Sequence, residues 1–343
     1  MTGLPERAAR AAYPAPLGRH TRYMLASYLR HIFMVAAALM LIAATVAADP
    51  YPARPLRLIC PSPPGGAVDM LSRVVAQQLA EKFGVPVIVD NRAGASAVIG
   101  SELVAKSPPD GHTLMMGYST HATNPIFIKK LPYDTLRDFS AITLVGYIPL
   151  LLVVHPSVAA NSVQDLIALA KARPGQLQFA AGSAGGGPSM AGLLFRQMAG
   201  IDIVQIPYKG NAPALTDLLG GQVTMMFDTI NTSLPLARAG RLRMLAVTSI
   251  SRASLAPDVP TIAEAGLPGF DVRAWFAVMA PAKTPREIIR TLNAVINRGL
   301  ADPALRAKLA ADGVEVGGGT PEQTDAFIRA EMERWPKFIK ARD

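Results

Sequence analysis

Cys60-Pro61-Ser62-Pro63-Pro64-Gly65-Gly66-Ala67-Val68-Asp69 joins a short apolar strand to an amphipathic helix. Before the run, Leu56, Leu58 and Ile59 carry the strand. After it, Val68, Leu71, Val74, Val75 and Leu79 recur at helical spacing. Prolines stiffen the turn between them, and Gly65 and Gly66 leave no side chain over the start of the helix. A helix N-terminus carries unpaired N–H groups and about half a positive charge, so it suits a carboxylate or phosphate. A tight strand-to-helix connection with nothing bound accounts for the same residues. The run by itself leaves both readings open.

The alternation of strand and helix continues along the chain. Short apolar strands are predicted near 86–89, 113–116, 177–181, 203–207, 223–227, 244–248 and 274–280, with a longer one over 141–155 broken by Gly146 and Pro149. Helices are predicted over 163–172, 190–199 and 214–219, and the chain ends in helices over 288–300, 304–311 and 321–339. This pattern is α/β. The block from about 150 to 270 has its own strand–helix series, entered and left through two long apolar strands. It suggests two lobes, with lobe 1 formed by 49–148 and 273–343 and lobe 2 by 149–272. Proteins of that shape bind ligands in the cleft between lobes and close about a hinge.

The N-terminus bears on compartment. Residues 32–48 contain no charge, Arg22, Arg30 and His31 precede them, and Val46-Ala47-Ala48 offers small residues before Asp49. Residues 1–48 are therefore expected to be a signal peptide cut near Ala48, with a periplasmic mature chain. A retained anchor is the competing reading; seventeen uncharged residues sit at the lower limit of a bilayer span, and the small-residue end favours removal. Met24 would begin a more ordinary signal than Met1, and both starts stay open. Without the five Arg and one Glu of residues 1–48, the formal charge falls from +9 to +5. That balance admits anionic ligands, but with no dense Lys/Arg run and few aromatics it is no nucleic-acid footprint. Cys60 is the only cysteine, so no intramolecular disulfide forms, and it reads as a small buried hydrophobe. His112, His121 and His155 follow the leader without ligand spacing, and neither metal nor cofactor is expected.

Polar clusters fall at the ends of the predicted strands. They are Pro64, Gly65 and Gly66 with Asp69; Tyr118, Ser119, Thr120 and His121; the 181–189 run with Ser183, Gly187 and Ser189; Tyr208 to Asn211; and Asp228 with Thr229. Turn chemistry explains each alone. All of them at strand C-ends point to one polar cleft. Catalysis does not emerge. Ala181-Gly182-Ser183-Ala184-Gly185 lacks the first glycine of a nucleophile elbow, and the 187–192 run lacks the Lys-Ser/Thr of a P-loop. Asp69 and Asp228 could form a carboxylate pair, but Asp69 fits better as an acid in a first helical turn. No enzyme is expected.

Over nearly its whole mature length the chain resembles the Bug-type solute receptors, the periplasmic components of tripartite tricarboxylate transporters. The resemblance rests on Tyr51-Pro52-Ala53-Arg54-Pro55-Leu56-Arg57, Pro63-Pro64-Gly65-Gly66 with Asp69, and Asp90-Asn91-Arg92-Ala93-Gly94-Ala95. It continues through Pro109-Asp110-Gly111-His112-Thr113-Leu114, Asn124-Pro125, Leu131-Pro132-Tyr133-Asp134, Pro207-Tyr208-Lys209-Gly210, Met226-Phe227-Asp228 and Gly319-Thr320-Pro321-Glu322. It implies a two-lobed type II periplasmic binding protein, a monomer, that captures a small mono-, di- or tricarboxylate and delivers it to the membrane components of such a transporter. It further implies that the Pro64–Gly66 and Ser183–Ser189 loops reach ligand carboxylates from opposite lobes, with Ala95, Ser119, Tyr208 and Asp228 lining the cleft. Ser62 stands where the family usually has an aromatic residue, and Met190 where a His is often found, so no particular family acid is expected. The alternative function is a periplasmic sensor that presents a bound carboxylate to a signalling partner. Asp228 poses a conflict in a cleft for anions: either it meets an ammonium on an amino-acid ligand, or it turns to cap the next helix through Thr229–Thr232. Plain organic acids dominate the family, which favours capping.

Overall fold

The computed structural model describes Met24 and residues 27–34 and 51–339. The chain divides into two compact units, Met1–Pro50 and Tyr51–Asp343. In the first, residues 27–34 are helical; Met1, residues 35–48 and the expected cut at Ala48 lie outside the described residues.

The second unit runs β1 (Leu56–Cys60), α1 (Ala67–Phe83), β2 (Val87–Asn91), α2 (Val98–Ala105), β3 (Thr113–Tyr118), α3 (Thr120–Phe127), β4 (Phe139–Val154), α4 (Val163–Ala172), β5 (Gln178–Ala181), α5 (Gly187–Ala199), β6 (Val204–Pro207) and α6 (Asn211–Leu219). It continues with β7 (Met225–Thr229), α7 (Ile230–Arg238), β8 (Arg243–Val247), β9 (Arg273–Pro281), α8 (Arg286–Leu300), α9 (Pro303–Ala311), β10 (Glu315–Gly318), α10 (Pro321–Arg334) and α11 (Pro336–Ile339). β1 lies between β2 and β3, parallel to both, which is why its sequence is almost wholly apolar. On α1 the predicted stripe is the buried face at Val68, Leu71, Val75 and Leu79, while Val74, also predicted there, is half-buried at its edge. Gly84 ends the helix in the left-handed region at φ 69°, donating its N–H to the Ala80 carbonyl.

The strand order is β2-β1-β3-β9-β4-β7-β5-β6, with β8 and β10 also paired to β4. Two parallel groups, β2-β1-β3 and β6-β5-β7, thus flank the antiparallel pair β9 and β4. The sequence predicts a break in β4 at Gly146 and Pro149, yet it runs unbroken for 16 residues, absorbing register shifts at 141–143 and 144–146. Gly146 is there for approach: a Cβ would lie 2.5 Å from the Glu315 carbonyl oxygen of β10. β4 pairs with β9 as far as Pro149 and with β7 from Leu150, so one strand serves both groups. Beyond it, Phe195 and Phe179 close on Phe227 at centroid separations of 5.7 and 6.4 Å. Burying each such ring contributes roughly 2–3 kcal/mol. Gly192 lets α5 lie against Phe179, since a Cβ there would meet the ring at 2.2 Å, and this contact fixes α5 over β5. Cys60 is fully buried, as expected.

Candidate functional site

Parallel strands deliver their following loops to one edge, and the helices that start there present free N–H groups. The loops 61–66 and 92–97 and Ser119 leave the C-terminal ends of β1, β2 and β3. The loops 182–186 and 208–210 and the start of α7 leave β5, β6 and β7. The two sets touch. Thr123 Oγ1 on α3 donates to the Gly185 carbonyl at 2.7 Å. Gly185 has φ 73°, and a Cβ there would stand 2.4 Å from Thr123 Oγ1, so glycine is required on both counts. Gly187 lies against β9, where a Cβ would be 3.4 Å from that of Ala274.

The first loop is held by Asp69. Its Oδ2 accepts from the Gly65 N–H and from Arg73 Nε, each at 3.0 Å, and its Oδ1 accepts from Asn91 Nδ2 at 3.0 Å. Asn91 also donates to the Ser62 carbonyl at 3.1 Å. Burial raises the carboxyl's pKa, and the donors from Arg73, Gly65 and Asn91 more than offset it, so Asp69 stays below the ordinary carboxylate range. Pro64, Gly65 and Gly66 are exposed on the loop it fixes. Ala95, also exposed, opens a turn whose φ values are 47°, 52° and 73° at Ala95, Ser96 and Ala97. Ser119 is buried, its hydroxyl accepting from the Trp275 N–H at 3.5 Å, and Thr120 is buried beside it. His121 is turned into the core, stacked on Tyr133 and edge-on to Phe139, where burial lowers its pKa to about 4.

On the other set, Ser183 is half-buried and its carbonyl accepts from the Gly186 N–H at 3.3 Å. Ser189 is buried, its hydroxyl accepting from Gln205 Nε2 at 2.9 Å, and Met190 sits in the core. Tyr208 donates its hydroxyl to Asp217 Oδ2 at 2.7 Å. Asp228 is fully buried: Oδ1 accepts from Asn211 Nδ2 at 3.0 Å, and Oδ2 from the hydroxyls of Thr232 at 2.5 Å and Ser233 at 2.6 Å. Burial outweighs these donors and raises its pKa. The carboxylate therefore faces the first turns of α6 and α7, using side chains more than the backbone of a cap. Asn91 and Asn211, which the sequence places in the 90–95 run and the Tyr208–Asn211 cluster, belong to the frame of the loops, each donating to a buried carboxylate. Thr123 carries no such sequence signal, because its partner Gly185 is 62 residues away. A separate groove of about 890 Å³ between α1, α8 and α9 shares no lining residue with these loops.

The model of the tripartite tricarboxylate transporter family receptor, TctC, matches residues 71–343. The chain belongs to this family. Protein BugT of Bordetella pertussis is 43% identical over 301 residues, covering 87% of this chain and 92% of BugT. The structure described as R. palustris Rpa4515 with adipate superposes with a TM-score of 0.81 at 39% identity, covering 84% of this chain and 97% of that one. MatC from Rhodopseudomonas palustris, with bound malate, gives a TM-score of 0.78 at 31% identity, over 84% and 99% of the two chains. The periplasmic binding protein BugD gives 0.78 at 30%, covering 84% and 98%. This TctC-family chain has the α/β fold of these periplasmic solute-binding proteins.

Two helix starts give the TctC-family chain its local electrostatics. Gly66 caps the 17-residue α1 and Gly186 the 13-residue α5, and neither receives a side-chain cap. Both helices therefore leave N–H groups of their first turns without an intrahelical partner, at the positive end of the dipole. A Cβ placed on Gly65 or Gly66 meets nothing within 4 Å, so the space before α1 is open.

Proposed function

We propose that this chain is a periplasmic receptor, exported by cleavage near Ala48, that captures a small organic acid and hands it to the membrane components of a tripartite tricarboxylate transporter. The acid, a mono-, di- or tricarboxylate, would lie in a cleft between lobe 1 (49–148 and 273–343) and lobe 2 (149–272). The exchange of β4 from β9 to β7 at Pro149–Leu150 supports that division. The observation that carries the reading is the pair of uncapped helix starts, Gly66 and Gly186, at strand-end edges that touch through Thr123 and Gly185. Backbone N–H groups at helix starts hold an anion without a basic side chain. The adipate and malate bound by the two R. palustris relatives fit that chemistry. Pro64, Gly65, Gly66, Ala95, Ser119, Thr120, Ser183, Gly187, Ser189 and Tyr208 are assigned to the cleft. Asp69 and Asp228 are assigned to its frame, because both oxygens of each are held by donors of the chain itself.

Native mass spectrometry of freshly purified protein, followed by calorimetry with adipate, malate and citrate, tests the reading. A retained acid or micromolar binding of one of the three is expected, with no turnover of the bound acid. Protein that retains no acid and gives no binding heat with any of them refutes it. N-terminal sequencing of the exported form should begin at Asp49.

A further inference from the structure

Residues 94–97 form an uncommon segment, with φ of 131°, 47°, 52° and 73° at Gly94, Ala95, Ser96 and Ala97. The last three are not glycine, and each is disfavoured in the left-handed region by contact between Cβ and carbonyl oxygen. Such a turn persists only if its surroundings fix it. Locally it has two backbone bonds, from the Val98 N–H to the Ala95 carbonyl at 3.2 Å and from the Ser101 N–H to the Ala97 carbonyl at 3.0 Å, and neither uses the Ser96 carbonyl. The tertiary fixture is Asn124, fully buried on α3, whose Nδ2 donates to the Ser96 carbonyl at 2.9 Å and reaches the Tyr133 hydroxyl at 3.3 Å. The next residue, Pro125, has no N–H for the His121 carbonyl, which accepts instead from Thr135 Oγ1 at 3.4 Å. On the N-terminal side, Thr123 bonds to Gly185 across the site. The helix that follows the turn, α2, abuts the first loop, since a Cβ on Gly100 would lie 2.7 Å from Pro61 Cβ. No acceptor in the described chain takes the N–H groups of Ala95, Ser96 or Ala97.

We infer that Asn124 is a positioning residue for the carboxylate site: its amide holds Ser96, and through Ser96 it keeps the left-handed turn 95–97 in the shape that leaves three successive N–H groups free for the anion. This rests on the carboxylate-receptor reading. Successive free backbone N–H groups make an anion-binding concavity. Asn124 touches no ligand itself. Together with Thr123 it makes one turn of α3 contact both loop sets.

The test compares wild type with Asn124→Leu, which keeps the branched shape and removes the donor. Hydrogen exchange of the unliganded proteins should show faster exchange confined to 94–98 in the variant; unchanged exchange there overturns the clamp whatever the protein binds. Calorimetry with adipate and malate at 10 °C, well below the unfolding transition, should show affinity lowered about tenfold for the acid that wild type binds. Adding Ala97→Gly, which makes the left-handed geometry inexpensive, should recover most of that loss. A lower Tm with unchanged affinity, or no recovery in the double variant, assigns Asn124 to stability alone and refutes the positioning role. Wild type that binds neither acid counts against the carboxylate-receptor reading, while the exchange experiment still decides the clamp.

Discussion

Gly66→Val separates a loop that meets a ligand from one that only turns the chain. Gly66 sits at φ −90° and ψ 177°, extended backbone that valine adopts readily, and a Cβ there meets nothing within 4 Å. Replacing glycine at a helix N-cap by an apolar residue costs up to about 1 kcal/mol, so the variant should fold with a Tm only a few degrees lower. If a carboxylate rests on the start of α1, the added branches occupy the space in front of those N–H groups. Losing one hydrogen bond to a charged oxygen costs roughly 1.5–3 kcal/mol, or about tenfold to 150-fold in Kd. Gly65→Ala is the contrasting variant. Its φ of 86° makes any side chain cost about 1–2 kcal/mol of stability, so it should lose mainly Tm. Calorimetric titration with the acid wild type binds, alongside differential scanning calorimetry, reads both. A folded Gly66→Val that binds within twofold of wild type removes this loop from the site.

Asp228→Asn should leave affinity for a plain acid unchanged, since the carboxylate is enclosed by Asn211, Thr232 and Ser233; a tenfold loss would place it against the ligand. Because burial raises the Asp228 pKa in the fold, its contribution is present below about pH 3.8 and is lost as pH rises through the folded value, so the Asn variant should gain stability relative to wild type from acid to neutral pH in urea melts. His121 works in the opposite direction: with a folded pKa of about 4 against 6.5, its stabilisation is full above pH 6.5 and falls by roughly 3 kcal/mol as pH drops to about 4. His121→Phe should flatten that acid limb, and an unchanged slope between pH 6.5 and 4 would show that another group controls it. Thr123→Val removes the bond to Gly185 while keeping the side chain's shape, and should shift small-angle scattering of the unliganded protein toward a larger radius of gyration; an identical radius would show that the bond does not hold the two loop sets together.

Where a residue's role depends on near neighbours in sequence, the chain alone determined it. The stripe Val68, Leu71, Val75 and Leu79 was legible because helical periodicity needs only one segment, and Cys60 was legible as core because it ends a strand that is buried except at Arg57. The same logic read the strand-end clusters and the α/β class. It missed α2 and α3, eight residues each, because two turns are too short for periodicity to show and Pro125 argues against helix. It broke β4 at Gly146 and Pro149 because those residues weaken a strand locally, whereas pairing to β9, β7, β8 and β10 holds it together. Tertiary structure alone decided which way each polar side chain faces. Asp69 opens α1 and Asp228 lies near the end of β7, and Gly65, Arg73, Thr232 and Ser233 hold one oxygen of each from within five residues, but the other oxygen is taken by an amide from farther off: Asn91, 22 residues away, and Asn211, 17 residues away. Thr123 meets Gly185 and Asn124 meets Ser96 only after separate strands bring α3 between two loops. A hydrogen bond needs donor and acceptor about 3 Å apart. No local pattern specifies that distance between residues far apart in the chain.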